Sequence, residues 1–250
     1  MTGGRAALMT IVALAMAASL EAGAEPRAII ELFTSQGCSS CPPADKLLGE
    51  LARDPTLVTL SLSVDYWDYL GWKDTLALAG HAKRQKAYSR ARGDRDVYTP
   101  QVVVSGMTQA LGSDRAEIER AIAHSRRNPR TLALPLTLSV AHGQVTVAAP
   151  AGRDGERGEI WLCSFSSAVL VAIGRGENKG RTVTYHNVVR RWVKAGDWTG
   201  AAAAWSVPIT ALLGDGLDAV AQVDAVAAIL QAGSAAHPGP VLGAATATLR

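Results

Sequence analysis

The stretch Cys38-Ser39-Ser40-Cys41 constrains this chain more than any other. An apolar run, Ala28 to Phe33, precedes it and reads as a buried strand. A short polar turn with Gly37 intervenes. After the cysteines, Leu47, Leu48 and Leu51 fall on one side of a helix. The strand-to-helix junction favours thiol chemistry. Cys38 is expected beside the unpartnered first N–H groups of the helix, at the positive end of its dipole. Both effects favour the thiolate, which is the nucleophile. Cys41, one turn later, is placed to close or open a disulfide with it. Pro42 and Pro43 suit a first turn, where N–H groups have no partner. Two other uses of the pair compete. A structural disulfide over so short a loop restrains the unfolded chain little. Half of a zinc site needs a second ligand pair; the only other cysteine is Cys163, and no His-x-x-x-His accompanies it.

Downstream, Leu57 to Val64 reads as a second strand, which closes a right-handed βαβ unit with parallel strands. Asp65 to Trp72 follows at the strand's C-terminal end, where open α/β sheets bind ligands. Tyr66, Trp67, Tyr69 and Trp72 crowd this stretch although only 5% of the chain is aromatic; they line a site, cover the core, or both. Asp74 to Arg92 is predicted as a helix with a basic exposed face (Lys83, Arg84, Lys86, Arg90, Arg92) and His81 at its surface. Thr99-Pro100 before a short β-branched strand suits a tight turn, in which a proline can be cis. Gly106 marks a hairpin, Gln109 to Leu111 an edge strand, and Ser113 to His124 a helix capped by Ser113. This β-α-β-α-β-β-α order, with the cysteine motif at its first junction, is that of a thioredoxin-like domain. In such folds a cis-proline packs beside the cysteine pair, and the residue before it offers backbone hydrogen bonds to an extended substrate.

Residues 1–24 are expected to be removed. Arg5 gives a positive start, Ala6 to Leu20 is apolar but short for a membrane span, and Ala22-Gly23-Ala24 fits a cleavage site. A retained anchor is the alternative. The expectation is a protein exported to the periplasm or secreted, where disulfides persist, with no stable membrane insertion. A net charge of +3 is too small to imply a nucleic-acid partner.

The polar segment Arg126 to Arg130 reads as a boundary between residues 25–126 and 131–250. The second part is a series of short alternating runs (Leu134–Val140, Gln144–Ala149, Glu159–Phe165, Val169–Ile173, Thr182–Val189, Ala202–Ile209, Val241–Leu249) punctuated by glycines, which suggests a β-rich, sandwich-like domain. Leu217 to Gln231 is ambiguous between helix and strand. Cys163 is expected as a small buried side chain. His142, His186 and His237 form no ligand pattern, so no metal site is assigned.

Glu31 to Asp45, with Tyr98-Thr99-Pro100-Gln101 and the later Gly174 to Arg181 running on to Asn187-Val188-Val189, resembles a family of secreted bacterial proteins with a thioredoxin-like fold known only as domain of unknown function 1223. The resemblance spans nearly the whole chain after residue 24. It implies an α/β thioredoxin-like domain followed by a β-rich domain, and no established reaction. Departures from ordinary thioredoxins are plain: Gly37 stands where they have tryptophan, Ser39-Ser40 replaces Gly-Pro, and Leu32 replaces their buried proton-transfer aspartate. Glu31, one place off, should face the other side of the sheet. The function expected is thiol-disulfide oxidoreduction. Cys38 would be the exposed nucleophile and Cys41 the buried resolver, with Thr99 and Pro100 holding substrate and Trp67 and Trp72 walling the cleft. No dissociable cofactor is needed; the partners are a thiol or disulfide substrate and a redox partner that resets the pair. A non-catalytic binding module and a Cu(I)-handling protein are the alternatives.

Overall fold

Ile30 and Leu32 point to one side of the first strand, and Ile29, Glu31 and Phe33 to the other. In the computed structural model, which describes residues 26–213 and 223–249, this strand, β1 (Ala28–Thr34), is buried along its whole length. It runs parallel to β2 (Leu57–Ser63), from Ala28 opposite Leu57 to Thr34 opposite Ser63. The crossover is α1 (Pro42–Leu51). On the other side of β1 lie β3 (Gln101–Val104), antiparallel to it, and the edge strand β4 (Thr108–Leu111). Leu47, Leu48 and Leu51 of α1 and Ile118 and Ile122 of α3 (Arg115–Ser125) cover the Ile30–Leu32 side. The opposite side packs on α2 (Ala79–Arg92) through Phe33, Leu60, Leu62, Ala82 and Tyr88.

The sheet continues past the polar segment at 126–130. β7 (Gly158–Ala172) and β8 (Thr182–Trp198) form a long antiparallel ribbon. Val188 of β8 pairs with Ser61 of β2, in parallel. With β10 (Ala225–Ser234) and β11 (His237–Thr248) the result is one mixed sheet in the order β11-β10-β7-β8-β2-β1-β3-β4. A second, antiparallel sheet of β5 (Thr137–Ala141), β6 (Gln144–Ala149) and β9 (Ala203–Pro208) faces it. Val145, Val147 and Val207 pack there on Ile160, Leu162, Val226 and Leu230, with Trp198 and Leu212 of the short α4 (Ile209–Leu213) closing the cluster. Leu60 and Leu62 from the first half share a core with Cys163, Phe165, Val189 and Ile229 from the second.

Several sequence expectations are corrected. α2 begins at Ala79, not Asp74, because Leu78 is extended and the Asp74 carboxylate accepts from the N–H of Leu76 (2.8 Å) and Gln36 (2.8 Å), bonds that compete with a helix. His81 is fully buried rather than on the surface. Its Nδ1 lies 2.9 Å from the Ser63 carbonyl oxygen, and burial pushes its pKa down to about 4. Arg84 leaves the basic face and turns inward to Glu31. Asp114, not Ser113, caps α3 by accepting from Glu117 N–H (2.9 Å). The runs at 159–165 and 169–173 are one strand with a register shift at Ser164/Phe165. Of the ambiguous 217–231 segment, residues 217–222 lie outside the described residues, as does the proposed signal segment, and from Ala225 onward it belongs to β10. Ala225, Ala227 and Ile229 face the α2 side while Val226, Ala228 and Leu230 face the second sheet. A strand covered on both faces has no polar alternation to read. No helix among the described residues is long and apolar enough to cross a membrane.

Candidate functional site

The turn after β1 is tied by local bonds. Cys38 N–H donates to the Ser35 carbonyl (3.1 Å) and Gly37 N–H to Ser35 Oγ (3.1 Å). A Cβ on Gly37 would sit 3.0 Å from the Trp67 Cβ, so glycine lets the aromatic segment close on the turn. Cys41 N–H donates to the Cys38 carbonyl (3.2 Å), and Cys41 is the residue immediately before α1. Cys38 and Cys41 are joined by a disulfide. The Thr99–Pro100 peptide is cis. The Thr99 carbonyl oxygen lies 3.8 Å from Cys38 Sγ, and Thr99 Oγ1 accepts from the Trp67 indole N–H (2.7 Å). Thr99, Pro100 and Trp67 therefore gather at the cysteine pair. Trp72 stands on the other side of the turn. Its indole N–H donates to Gln36 Oε1 (2.7 Å), its ring packs against Gly174, and its Cβ lies against Gly176.

That last contact brings in the β7–β8 loop, residues 174–181, from more than a hundred positions away. Asn178, 1% exposed, donates from Nδ2 to the carbonyls of Gln36 (3.0 Å) and Cys38 (2.8 Å). Glu177 Oε2 accepts from Ser39 N–H (3.3 Å). The expected free helix N–H groups are therefore not available to Cys38. Pro42 and Pro43 have none, those of Ala44 and Asp45 donate to the Cys41 carbonyl, and the turn N–H of Ser39 is taken by Glu177. Nor is Cys38 exposed in this oxidised form: it is 2% exposed and Cys41 0%. In the oxidised form both sulfur-bearing residues are thus closed off, and the loop bonds to the turn at Gln36, Cys38 and Ser39.

A family model described as a protein of unknown function, DUF1223, matches residues 29–227. The chain belongs to that family. Among solved structures, the DUF1223 chain is similar to the crystal structure of protein AGR_C_4864 from Agrobacterium tumefaciens, with 29% identity and a TM-score of 0.77 over 90% of this chain and 95% of that one. The crystal structure of Spo0M, a sporulation control protein from Bacillus subtilis, aligns over 46% of this chain and 48% of its own at 10% identity, and its TM-score of 0.28 carries no argument. No curated protein matches.

The DUF1223 site also holds acids that sequence reasoning did not select. Asp45 is 2% exposed. It shares the buried stripe of α1 with Ala44 and Leu48, and its N–H donates to the Cys41 carbonyl (3.1 Å). Oδ1 accepts from Thr34 Oγ1 (2.7 Å), while Oδ2 has no partner among the described residues. An aspartate four residues after Cys41, on the apolar face, was the available signal. Burial pushes its pKa up to about 8, and nearby Asp74 adds to the shift. Asp74 is likewise raised by burial. Tyr185 of β8 faces both: its phenol is raised by burial first and then by these two carboxyls. Cys163 lies in the core, where burial pushes its thiol well up. No three His, Cys, Asp or Glu side chains group as metal ligands among the described residues.

Asp45 predicts a pH dependence. Its folded pKa lies above its unfolded one, so between the ordinary carboxylate range and about 8 the folded protein holds a proton that the unfolded chain has released. Stability contributed by this group is full below that window and is lost as pH rises through it. Asp45→Asn keeps the Thr34 bond and removes the titration. Urea unfolding should show the variant gaining on wild type from pH 4 to pH 8. A variant-minus-wild-type difference that stays constant or falls as pH rises would mean that Asp45 is already ionised in the fold.

Proposed function

We propose that the protein is an exported thiol-disulfide oxidoreductase on a thioredoxin-like scaffold. The observation that carries this reading is the Cys38–Cys41 disulfide with the Thr99 carbonyl 3.8 Å from Cys38 Sγ, a backbone acceptor beside the sulfur that a substrate would approach. In the reducing direction the Cys38 thiolate attacks a substrate disulfide, that S–S bond breaks, and one substrate thiolate leaves and is protonated. A mixed disulfide links Cys38 to the other substrate sulfur. The Cys41 thiol loses its proton to water. The Cys41 thiolate then attacks Cys38 Sγ and expels the second substrate thiol. Two electrons pass from the pair to the substrate, and the oxidised pair is reset by a thiol-donating redox partner. The opposite direction reverses each step. Export rests on the basic and apolar start of the chain.

The test is redox cycling of the purified protein. Equilibration against glutathione should place the pair above about −270 mV, in the range of catalytic rather than structural disulfides. Insulin reduction or refolding activity should vanish in the Cys38→Ser, Cys41→Ser double variant while its circular dichroism is kept. A potential below about −300 mV with no turnover would end this reading. One observation favours a second, a binding module on the same scaffold: the pair is closed off by Asn178 and Glu177. Full biological function in the double variant would select it.

A further inference from the structure

Pro42, Lys46, Gly49, Glu50 and Arg53 recur at three- and four-residue spacing along α1 and just past its end, so they form one stripe. Opposite them, Thr182, Thr184 and His186 occupy alternate positions of β8. Between the two lies a groove of about 480 Å³ lined by these residues and Val183. That size is typical of a ligand site, about 300–1,000 Å³. Gly49 lets it take this form, because a Cβ there would fall 2.3 Å from His186 Cδ2. The imidazole thus lies directly on the helix backbone.

The charge of the groove is one-sided. Lys46 and Arg53 are exposed and enter no ion pair among the described residues. Glu50, the one acid in the lining, is matched by Arg115 at 2.7 Å. The Thr182 and Thr184 hydroxyls add donors. β8 also supplies a strand edge. From Thr182 to His186 it pairs with β7 alone, and it meets β2 only at Val188. The groove starts at Pro42, next to Cys41. From there to Arg53 the helix path is about 17 Å, the length of roughly five extended residues.

We propose that this groove binds an acidic extended peptide segment, a docking site that leads to the cysteine pair. The link to catalysis rests on the redox reading above; the binding itself does not. Carboxylates of the segment pair with Lys46 and Arg53, and its backbone lies along the free edge of β8.

The test is fluorescence anisotropy of a short labelled glutamate-rich peptide with the oxidised wild-type protein at low salt, against the same peptide with glutamine in place of glutamate. The glutamate peptide should bind at least about tenfold more tightly, and Lys46→Glu with Arg53→Glu should remove about that factor. Lys46→Gln with Arg53→Gln should act in the same direction, less strongly. Lys83→Glu with Arg90→Glu, on the exposed face of α2, should leave binding unchanged. Equal binding of the two peptides, equal loss in the α2 control, or complete displacement by millimolar inorganic phosphate would each overturn the proposal. Peptide binding without disulfide exchange would keep the groove and remove the redox reading. Exchange without peptide binding would do the reverse.

Discussion

Arg84→Ala is expected to cost the folded protein about 3–5 kcal/mol, the usual loss when one member of a buried ion pair is removed. Glu31 is completely buried, and its carboxylate receives Arg84 Nε at 2.6 Å and Nη2 at 3.2 Å. The same Nη2 donates to Tyr88 OH (2.6 Å) and to Gln231 Oε1 (3.1 Å). Tyr88 OH donates in turn to Glu31, and Gln231 Nε2 donates to Tyr88 OH. The guanidinium also lies over the rings of Tyr88 (4.9 Å) and Trp192 (4.7 Å). One side chain thus joins β1 and α2 to β8 and β10. Burial alone would lower the pKa of Arg84, but the Glu31 charge outweighs it and the arginine stays ionised. Removing it strands a carboxylate in the core, against a total stability of about 5–15 kcal/mol for a typical protein. Guanidinium unfolding measures the loss. Glu31→Leu with Arg84→Met should recover most of it, since an apolar pair of similar bulk avoids the desolvation cost. A single variant within about 1 kcal/mol of wild type would show that water reaches Glu31 and that the network is not what joins the halves.

Asn178→Ala should speed reduction of the Cys38–Cys41 disulfide by dithiothreitol about ten- to a hundredfold under native conditions. The amide makes two bonds to backbone carbonyls of the cysteine turn, at 3.0 and 2.8 Å. Each such bond contributes about 0.5–1.5 kcal/mol net, so the two together are worth about 1–3 kcal/mol, and about 1.4 kcal/mol is a factor of ten in an opening equilibrium. Asn178 Oδ1 has no partner among the described residues, so truncation strands no donor on its account. Glu177→Gln should act far less, because the Ser39 N–H it accepts from is exposed. Labelling of Cys163, which is buried, reports global unfolding in the same sample. Faster reduction with Cys163 still protected places the effect in the 174–181 loop. An unchanged reduction rate would show that the loop does not limit access to the pair.

Much of the first half was legible because its signals are local. The run from Ala28, the Gly37 turn and the leucines of α1 give strand, turn and helix within a few residues of where they occur. The proline at 100 and the glycine at 106 mark the turns on either side of β3. The prediction that Glu31 faces away from α1 follows from strand period alone, and its bonds to Arg84 and Tyr88 of α2 agree. His81 and Arg84 were misplaced for one reason. α2 has no clean apolar stripe to orient it, because much of its buried side is polar: His81, Gln85 and Ser89. β10 was ambiguous because both of its faces are covered.

Sequence alone determined that two thiols stand three residues apart where a strand passes into a helix, and hence that they can bond to each other. That follows from backbone geometry over a handful of residues and holds whatever surrounds them. The tertiary structure decided the rest of the chemistry. It set Asn178 and Glu177 over the turn, so that Cys38 is buried when oxidised and Ser39 N–H is spent. Through Asp74 and the Tyr185 side of β8 it placed Asp45 where burial keeps it protonated near neutrality. It also laid β8 beside α1 to make a basic groove at the cysteine pair. Each of these depends on β8 joining the sheet at β2, across more than a hundred residues. Burial and the charge around a group depend on every chain segment that comes near, and local sequence cannot specify segments that far away.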